Sequence, residues 1–185
     1  MMLRHSIALF IAATFVAGLL GCSTEPKTAD ERANLADEAN VELRRIKQDD
    51  PSLDAFLSHA HAYAIFPSVG KGAVGLCGAY GHGLVYRNGE MIGYTDLRQA
   101  TIGLQLGGQT YTEVIAFETP EALKNFQSNS YAFSANASAV AIKSGAAATA
   151  KYENGVAVFT SPRGGLMFEA SIGGQEFTYT PKGSS

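Results

Sequence analysis

Between Ala73 and Gly83 every second residue is small: Ala73, Gly75, Cys77, Ala79, Gly81 and Gly83 alternate with Val74, Leu76, Gly78, Tyr80, His82 and Leu84, and Tyr86 continues the second set. In a β-strand successive side chains point to opposite faces, so this segment presents one face with almost no side-chain volume. Such a face is useful where another backbone approaches closely or where the sheet bends sharply. The chain is therefore expected to build a curved or barrel-like sheet with other elements in tight contact. Ala135, Ala137, Ala139 and Ala141 repeat the pattern, although residues 134–148 suit an alanine-rich helix as well as a strand. Gly103, Gln105, Gly107 and Gln109 alternate in the same way with Ile102, Leu104 and Leu106.

The same glycines suggest a competing reading, because Gly70 to Gly75, GKGAVG, fits the G-x-G-x-x-G pattern and follows a strand-like run from Ala62 to Phe66. A dinucleotide site needs a helix whose N-terminus meets the phosphates directly after the glycines. Here Gly78, Gly81 and Gly83 follow, each costing a helix about 1 kcal/mol relative to alanine. With 20 glycines in 185 residues such spacings also arise by chance. No nucleotide site and no cofactor are expected.

Turn and helix signals fill in the rest. Asn88-Gly89 and Asn154-Gly155 are hairpin dipeptides, since both central residues must accept positive φ, and Ile172-Gly173-Gly174-Gln175 is a third candidate turn. Together they imply antiparallel pairing. Ahead of them, Ala33, Leu35, Ala36, Ala39, Leu43 and Ile46 form a thin apolar stripe at helical spacing. Asp49-Asp50-Pro51 then supplies a capping carboxylate and an early proline for a short helix carrying Leu53, Phe56, Leu57 and Ala60. Thr119-Pro120-Glu121 opens one more helix, with Ala122, Leu123 and Phe126 on one face. The expected class is α+β: a curved or barrel-like antiparallel sheet with N-terminal helices and one internal helix packed on it.

The N-terminus places this domain in a compartment. Arg4 precedes an apolar run from Ile7 to Leu20, shorter than the roughly 18 residues of a spanning helix, and the run ends in Leu19-Leu20-Gly21-Cys22. It reads as a secretory signal whose end resembles the lipobox of bacterial lipoproteins. In that family the cysteine becomes the acylated first residue, and Ser23 after it resembles the signal for the outer membrane. The expected divisions are a signal peptide over 1–21, a polar and partly helical tether over 22–50, and one domain over 51–182. The protein is expected to be exported and lipid-anchored at Cys22, on the periplasmic face of the outer membrane. Cys77 is then the one remaining thiol, so no internal disulfide forms. A net charge of −3 gives no basic footprint for nucleic acid.

The run FPSVGKGAVGLCGAYGHG, then MIGY, ATIGLQLGGQ, EALKNF, SANASAV and SPRGGLMFEASIGG, resembles in order and spacing the SYLF domain over roughly Leu53 to Gly174. That resemblance implies binding of membranes, notably acidic and phosphoinositide lipids, actin bundling in the fungal branch, and no catalysis. It makes Lys71 the basic residue of a lysine-plus-glycine motif, with Gly75, Gly78, Tyr80, Gly81 and Gly83 as its glycines and tyrosine. Cys77 and His82 depart from that motif. Arg44, Arg45 and Lys47 are the basic residues of the segment ahead of the domain and complete the lipid-binding candidates, diluted there by Asp30, Glu31, Asp37, Glu38, Glu42, Asp49 and Asp50.

The residues themselves offer little chemistry. Cys77 and His82 fall on opposite faces of a strand, His59 and His61 on different faces of a helix, and Glu113, Glu118, Glu121, Glu169 and Glu176 are scattered singly, as solvated carboxylates are. Neither an enzyme nor a metal site is expected. Two classes of function fit: a membrane-bound lipid-binding module, or a structural or protein-interaction component of the cell envelope for which lipid is only the anchor. The sequence indicates no particular protein partner.

Overall fold

The computed structural model describes residues 26, 28–71, 77–101, 109–128, 131–132, 139–164 and 174–183. Helix α1 (Ala29–Asp49) begins with a capping box in which Thr28 Oγ1 accepts from Glu31 N and Glu31 Oε2 accepts from Thr28 N, both at 3.1 Å. Helix α2 (Ser52–His59) follows, with Asp50 Oδ1 accepting from Ser52 N at 3.1 Å. Strands β1 (Ala62–Lys71), β2 (Cys77–Arg87), β3 (Glu90–Thr101) and β4 (Gln109–Phe117) lead to α3 (Pro120–Phe126), and then come β5 (Val140–Ala141), a 3-10 turn at Ala147–Thr149, β6 (Val156–Gly164) and β7 (Gln175–Pro181). The sheet order is β5-β6-β4-β1-β2-β3-β7. Every pairing is antiparallel except β5 with β6, which is parallel.

The sheet is strongly curved without closing into a barrel. Four strand spacings separate β4 from β7, about 19 Å in a flat sheet at ~4.8 Å per strand. Yet Gln175 Nε2 of β7 donates to Glu113 Oε2 of β4 at 2.9 Å, and Phe66 of β1 meets Phe177 of β7 with centroids 5.7 Å apart. β2 lies in the middle of that span, with Ala79, Gly81 and Gly83 on the concave side. At Gly83 an added Cβ would lie 2.7 Å from Ile65 O and 2.7 Å from Phe66 Cδ1; at Gly81 it would lie 2.9 Å from Val69 Cγ2. The bare face is thus occupied by side chains of the adjacent strand. Removing volume at the centre of the bend lets the neighbouring rings turn inward.

Core residues divide between the two faces. On the concave side Phe66, Phe117 and Phe177 pack with Ala122, Leu123 and Phe126 of α3, and Phe126 reaches Phe117 at 4.8 Å and Phe177 at 5.3 Å. Thr119 Oγ1 caps α3 by accepting from Ala122 N at 3.2 Å, as its sequence predicts. On the convex side α1 and α2 cover Ile65, Leu84, Val114, Ala116 and Phe159. The segment read as a tether is therefore, from Ala29 onward, a helix laid on the sheet: Leu35, Ala39 and Ile46 are buried. Alanine at the contact lets so thin an apolar stripe approach the sheet closely.

Strand β1 does not stop before Pro67, as the sequence pattern suggested. It continues to Lys71 through an irregularity at residues 65–69, where pairing with both neighbours shifts register. A proline, having no N–H to donate, is tolerated in a strand at such a bulge. Asn88-Gly89, with φ 53° and 80°, joins β2 to β3 as expected. Asn154-Gly155 has the same conformation (φ 54° and 80°) but closes a single bridge, Glu153 to Val156, and simply turns the chain into β6. Ala132 bridges to Glu176 of β7, at one edge of the sheet, and Val140–Ala141 pair with β6 at the other. The open choice of helix or strand at 134–148 resolves to β5, a turn and a 3-10 turn over residues 139–148, while residues 134–138 lie outside the described set.

Candidate functional site

Lys71 and Gly78 lie at the adjoining ends of β1 and β2, and Tyr80, Gly81 and Gly83 follow along β2. Lys71 is the last residue of β1, its backbone paired with Ala79 of β2 on one side and Gln109 of β4 on the other. Gly78 is exposed and pairs with Ala100 of β3. Gly81 and Gly83 are buried, and their close contacts give them a packing role. Gly75 and Cys22 lie outside the described residues. The glycine run does not lead into a helix: from Cys77 it is strand β2, so the nucleotide reading has no structural basis here.

Tyr80 joins a polar cluster on the convex face. His82 Nδ1 lies 2.7 Å from Asp96 Oδ1, and the Tyr80 hydroxyl lies 3.0 Å from that same nitrogen, with the two rings edge to face. Asp96 escaped the sequence reading for a specific reason. An uninterrupted hairpin from Arg87 opposite Glu90 would place His82 opposite Thr95, but an irregularity between Val85 and Tyr86 moves the register by one residue and sets His82 opposite Asp96. The carboxylate orients the imidazole. Among the described residues no group of three or more His, Cys, Asp or Glu side chains is arranged to hold a metal.

The three basic residues of α1 differ in their surroundings. Arg44 is exposed. Arg45 donates to Glu42 and Asp49, each at 2.8 Å, and to Ser161 Oγ at 3.1 Å. Lys47 pairs with Asp54 at 2.6 Å and lines a cleft with Tyr63, at the far end of β1 from Lys71. Eight residues of strand separate Tyr63 from Lys71, roughly 26 Å at ~3.3 Å per residue. Lys47 is therefore parted from Lys71.

Arg45 belongs to a clamp that fixes α1 over the bulge in β1. Glu42 Oε2 accepts from Thr112 Oγ1 at 2.9 Å, and Glu42 Oε1 lies 3.3 Å from Arg163 Nε. Arg163 also donates to Glu38 at 2.7 Å and to Pro67 O at 3.1 Å. Burial opposes ionisation of Glu42, but hydrogen bonds from Arg45 and Thr112, with the charges of Arg45 and Arg163, outweigh it and hold the carboxyl below its usual range. Asp50 is similar: burial opposes its charge, while the Ser52 hydroxyl and the N–H groups of Ala147, Gly145 and Ser52 lower its pKa overall.

One scattered carboxylate is not solvated. Glu113 is fully buried in the concave core beside Tyr111 and Gln175. Only the curvature that brings β7 over β4 creates this arrangement, so alternation along β4 could not reveal it. Glu118, Glu121 and Glu176 are exposed as expected, and Glu169 lies outside the described residues.

Residues 98–181 match the model of the Ysc84 family, described as Las17-binding protein actin regulator. A relative from Aeromonas veronii, Beta cell expansion factor A, is 30% identical over 154 residues, which cover 82% of this chain and 59% of the relative. Residues 98–181 are thus similar to the Ysc84 (SYLF) family. An alignment covering that much of the chain necessarily includes β1 and β2, which lie ahead of the residues that the family model matches. The chain spans about three fifths of the length of the relative it matches. Neither name denotes an enzyme.

Proposed function

We propose that this protein is an exported lipoprotein of the SYLF family, anchored through an acylated Cys22 on the periplasmic face of the outer membrane, whose folded domain binds membrane lipid without catalysis. The observation that carries the reading is the position of Lys71: the last residue of β1, its backbone held between β2 and β4. A lysine fixed in this way can meet a lipid phosphate at little cost in backbone order. Arg44, exposed on α1, adds a second positive charge. The leader ending in Leu19-Leu20-Gly21-Cys22 supports the anchor. Among the described residues no helix is long and apolar enough to cross a membrane.

The test uses the polypeptide from Ser23 onward with anionic and neutral vesicles at low and high salt. Binding to anionic vesicles should weaken with salt and fall about fivefold in Lys71→Gln, since one lysine near such a surface contributes about 1 kcal/mol, and further in Lys71→Glu, which adds a repelled charge. A protein that ignores every vesicle would instead be a protein-interaction component of the envelope.

A further inference from the structure

The cleft at the hairpin end of the convex face, which Lys47 lines, lies apart from Lys71. It encloses about 290 Å³. Tyr63 and Tyr86 both line it, stacked with centroids 5.3 Å apart and planes 16° from parallel. Lys47 and Asp54 stand at its rim, joined Nζ to Oδ1 at 2.6 Å, and His61 completes the wall.

This lining is specific in charge and in hydrogen bonding. A cation and an anion sit side by side in a lining that also holds two aromatic rings, and the Asp54 side chain is 69% exposed, so an incoming group can reach it without displacing Lys47. The ammonium of Lys47 has three N–H donors, and Asp54 is its ion-pair partner among the described residues. Neither Tyr63 nor Tyr86 has a hydroxyl partner among the described residues. Burial first, then Tyr86 and Asp54, push Tyr63 up to about 12, so its hydroxyl stays a donor at neutral pH.

We propose that this cleft binds the ammonium–phosphate headgroup of an ethanolamine phospholipid, with the ammonium on Asp54, the two methylenes on the tyrosine pair, and the phosphate on Lys47 and the tyrosine hydroxyls. The inference rests on the lipid-binding reading and names its ligand class. Adjacent opposite charges select a zwitterion over a simple anion, because a lone phosphate would face Asp54 as well as Lys47. The three N–H donors of Lys47 suit a phosphate, whose oxygens can accept them together.

Glycerophosphoethanolamine is the probe, titrated into the full chain in detergent free of ethanolamine lipid while the ring resonances of Tyr63 and Tyr86 are followed by NMR. Saturable shifts of both rings are expected. Binding should weaken at least about tenfold in Asp54→Asn and in Lys47→Gln, the loss of one charge-assisted contact, with melting temperatures kept near that of the parent. Inorganic phosphate and ethanolamine alone should each bind at least about tenfold more weakly than the probe. Rings that do not respond, or phosphate that binds as well as the probe, would overturn the inference, whatever Lys71 does on anionic vesicles. A probe that binds while vesicles with and without ethanolamine lipid are ignored alike would make the occupant a free phosphorylated amine, overturning the lipid assignment of the cleft together with the membrane reading.

Discussion

Replacing Gly83 by alanine tests whether bareness at the centre of the bend is required. Gly83 does not have positive φ, so its backbone accepts an L side chain and only contact decides the outcome. The new Cβ would sit 2.7 Å from Ile65 O and 2.7 and 2.8 Å from two atoms of the Phe66 ring. The carbonyl belongs to a paired strand, and the ring is fully buried beside Phe177, so neither can yield cheaply. Overpacking in a well-packed core costs typically ~1–3 kcal/mol. With two rigid neighbours the upper end applies, about 3 kcal/mol, a fall of roughly 6–12 °C in melting temperature for a domain of this size. Gly70→Ala on the adjacent strand is the control: nothing lies within 4 Å of its Cβ position, so melting should be unchanged or raised by up to ~3 °C. Thermal unfolding followed by circular dichroism measures both. Combining Gly83→Ala with Phe66→Leu should recover part of the loss, because the clashing ring is gone. A Gly83→Ala protein that melts with the parent would refute the argument that the small face exists to admit Phe66.

Glu42→Gln should cost ~2 kcal/mol in urea unfolding, less than a fully buried pair because Arg45 and Arg163 remain about one third exposed. Glu42 and Asp50 both have folded pKa values below their ordinary ones, so each stabilises fully above the unfolded pKa near 4 and loses that contribution as pH falls through the folded value. Stability should therefore drop on acidification below about pH 4, and Asp50→Asn should flatten that drop in a pH series of melts. Gly89→Ala puts a side chain at φ +80° and should destabilise by about 1 kcal/mol, with the change read by hydrogen exchange at the β2–β3 turn. Cys22→Ser should abolish metabolic lipid labelling and move the protein to the soluble fraction, while persistent labelling would remove the anchor from the proposed function.

Local chemistry was legible in the sequence wherever neighbours in the chain decide the outcome. Asn88-Gly89 and Asn154-Gly155 turn because only such residues accept two positive φ values in succession, and Thr119-Pro120 starts α3 because the cap and the fixed φ of proline act within one turn. The bare alternation of residues 73–83 announced a bend, but not what would fill it. Tertiary structure decided everything that depends on register or curvature. One irregular residue pair, Val85 and Tyr86, sets Asp96 opposite His82, and a one-residue slip would send it to the other face. The rolling of the sheet brings Gln175 to Glu113 across three intervening strands and buries a carboxylate that the sequence presents as solitary. Lys47 and Lys71, read together as lipid ligands, are parted because a strand is rigid and long, while Lys47 is placed instead beside Asp54 and a tyrosine pair whose members lie 23 positions apart in the chain and meet only because β1 and β2 are neighbours.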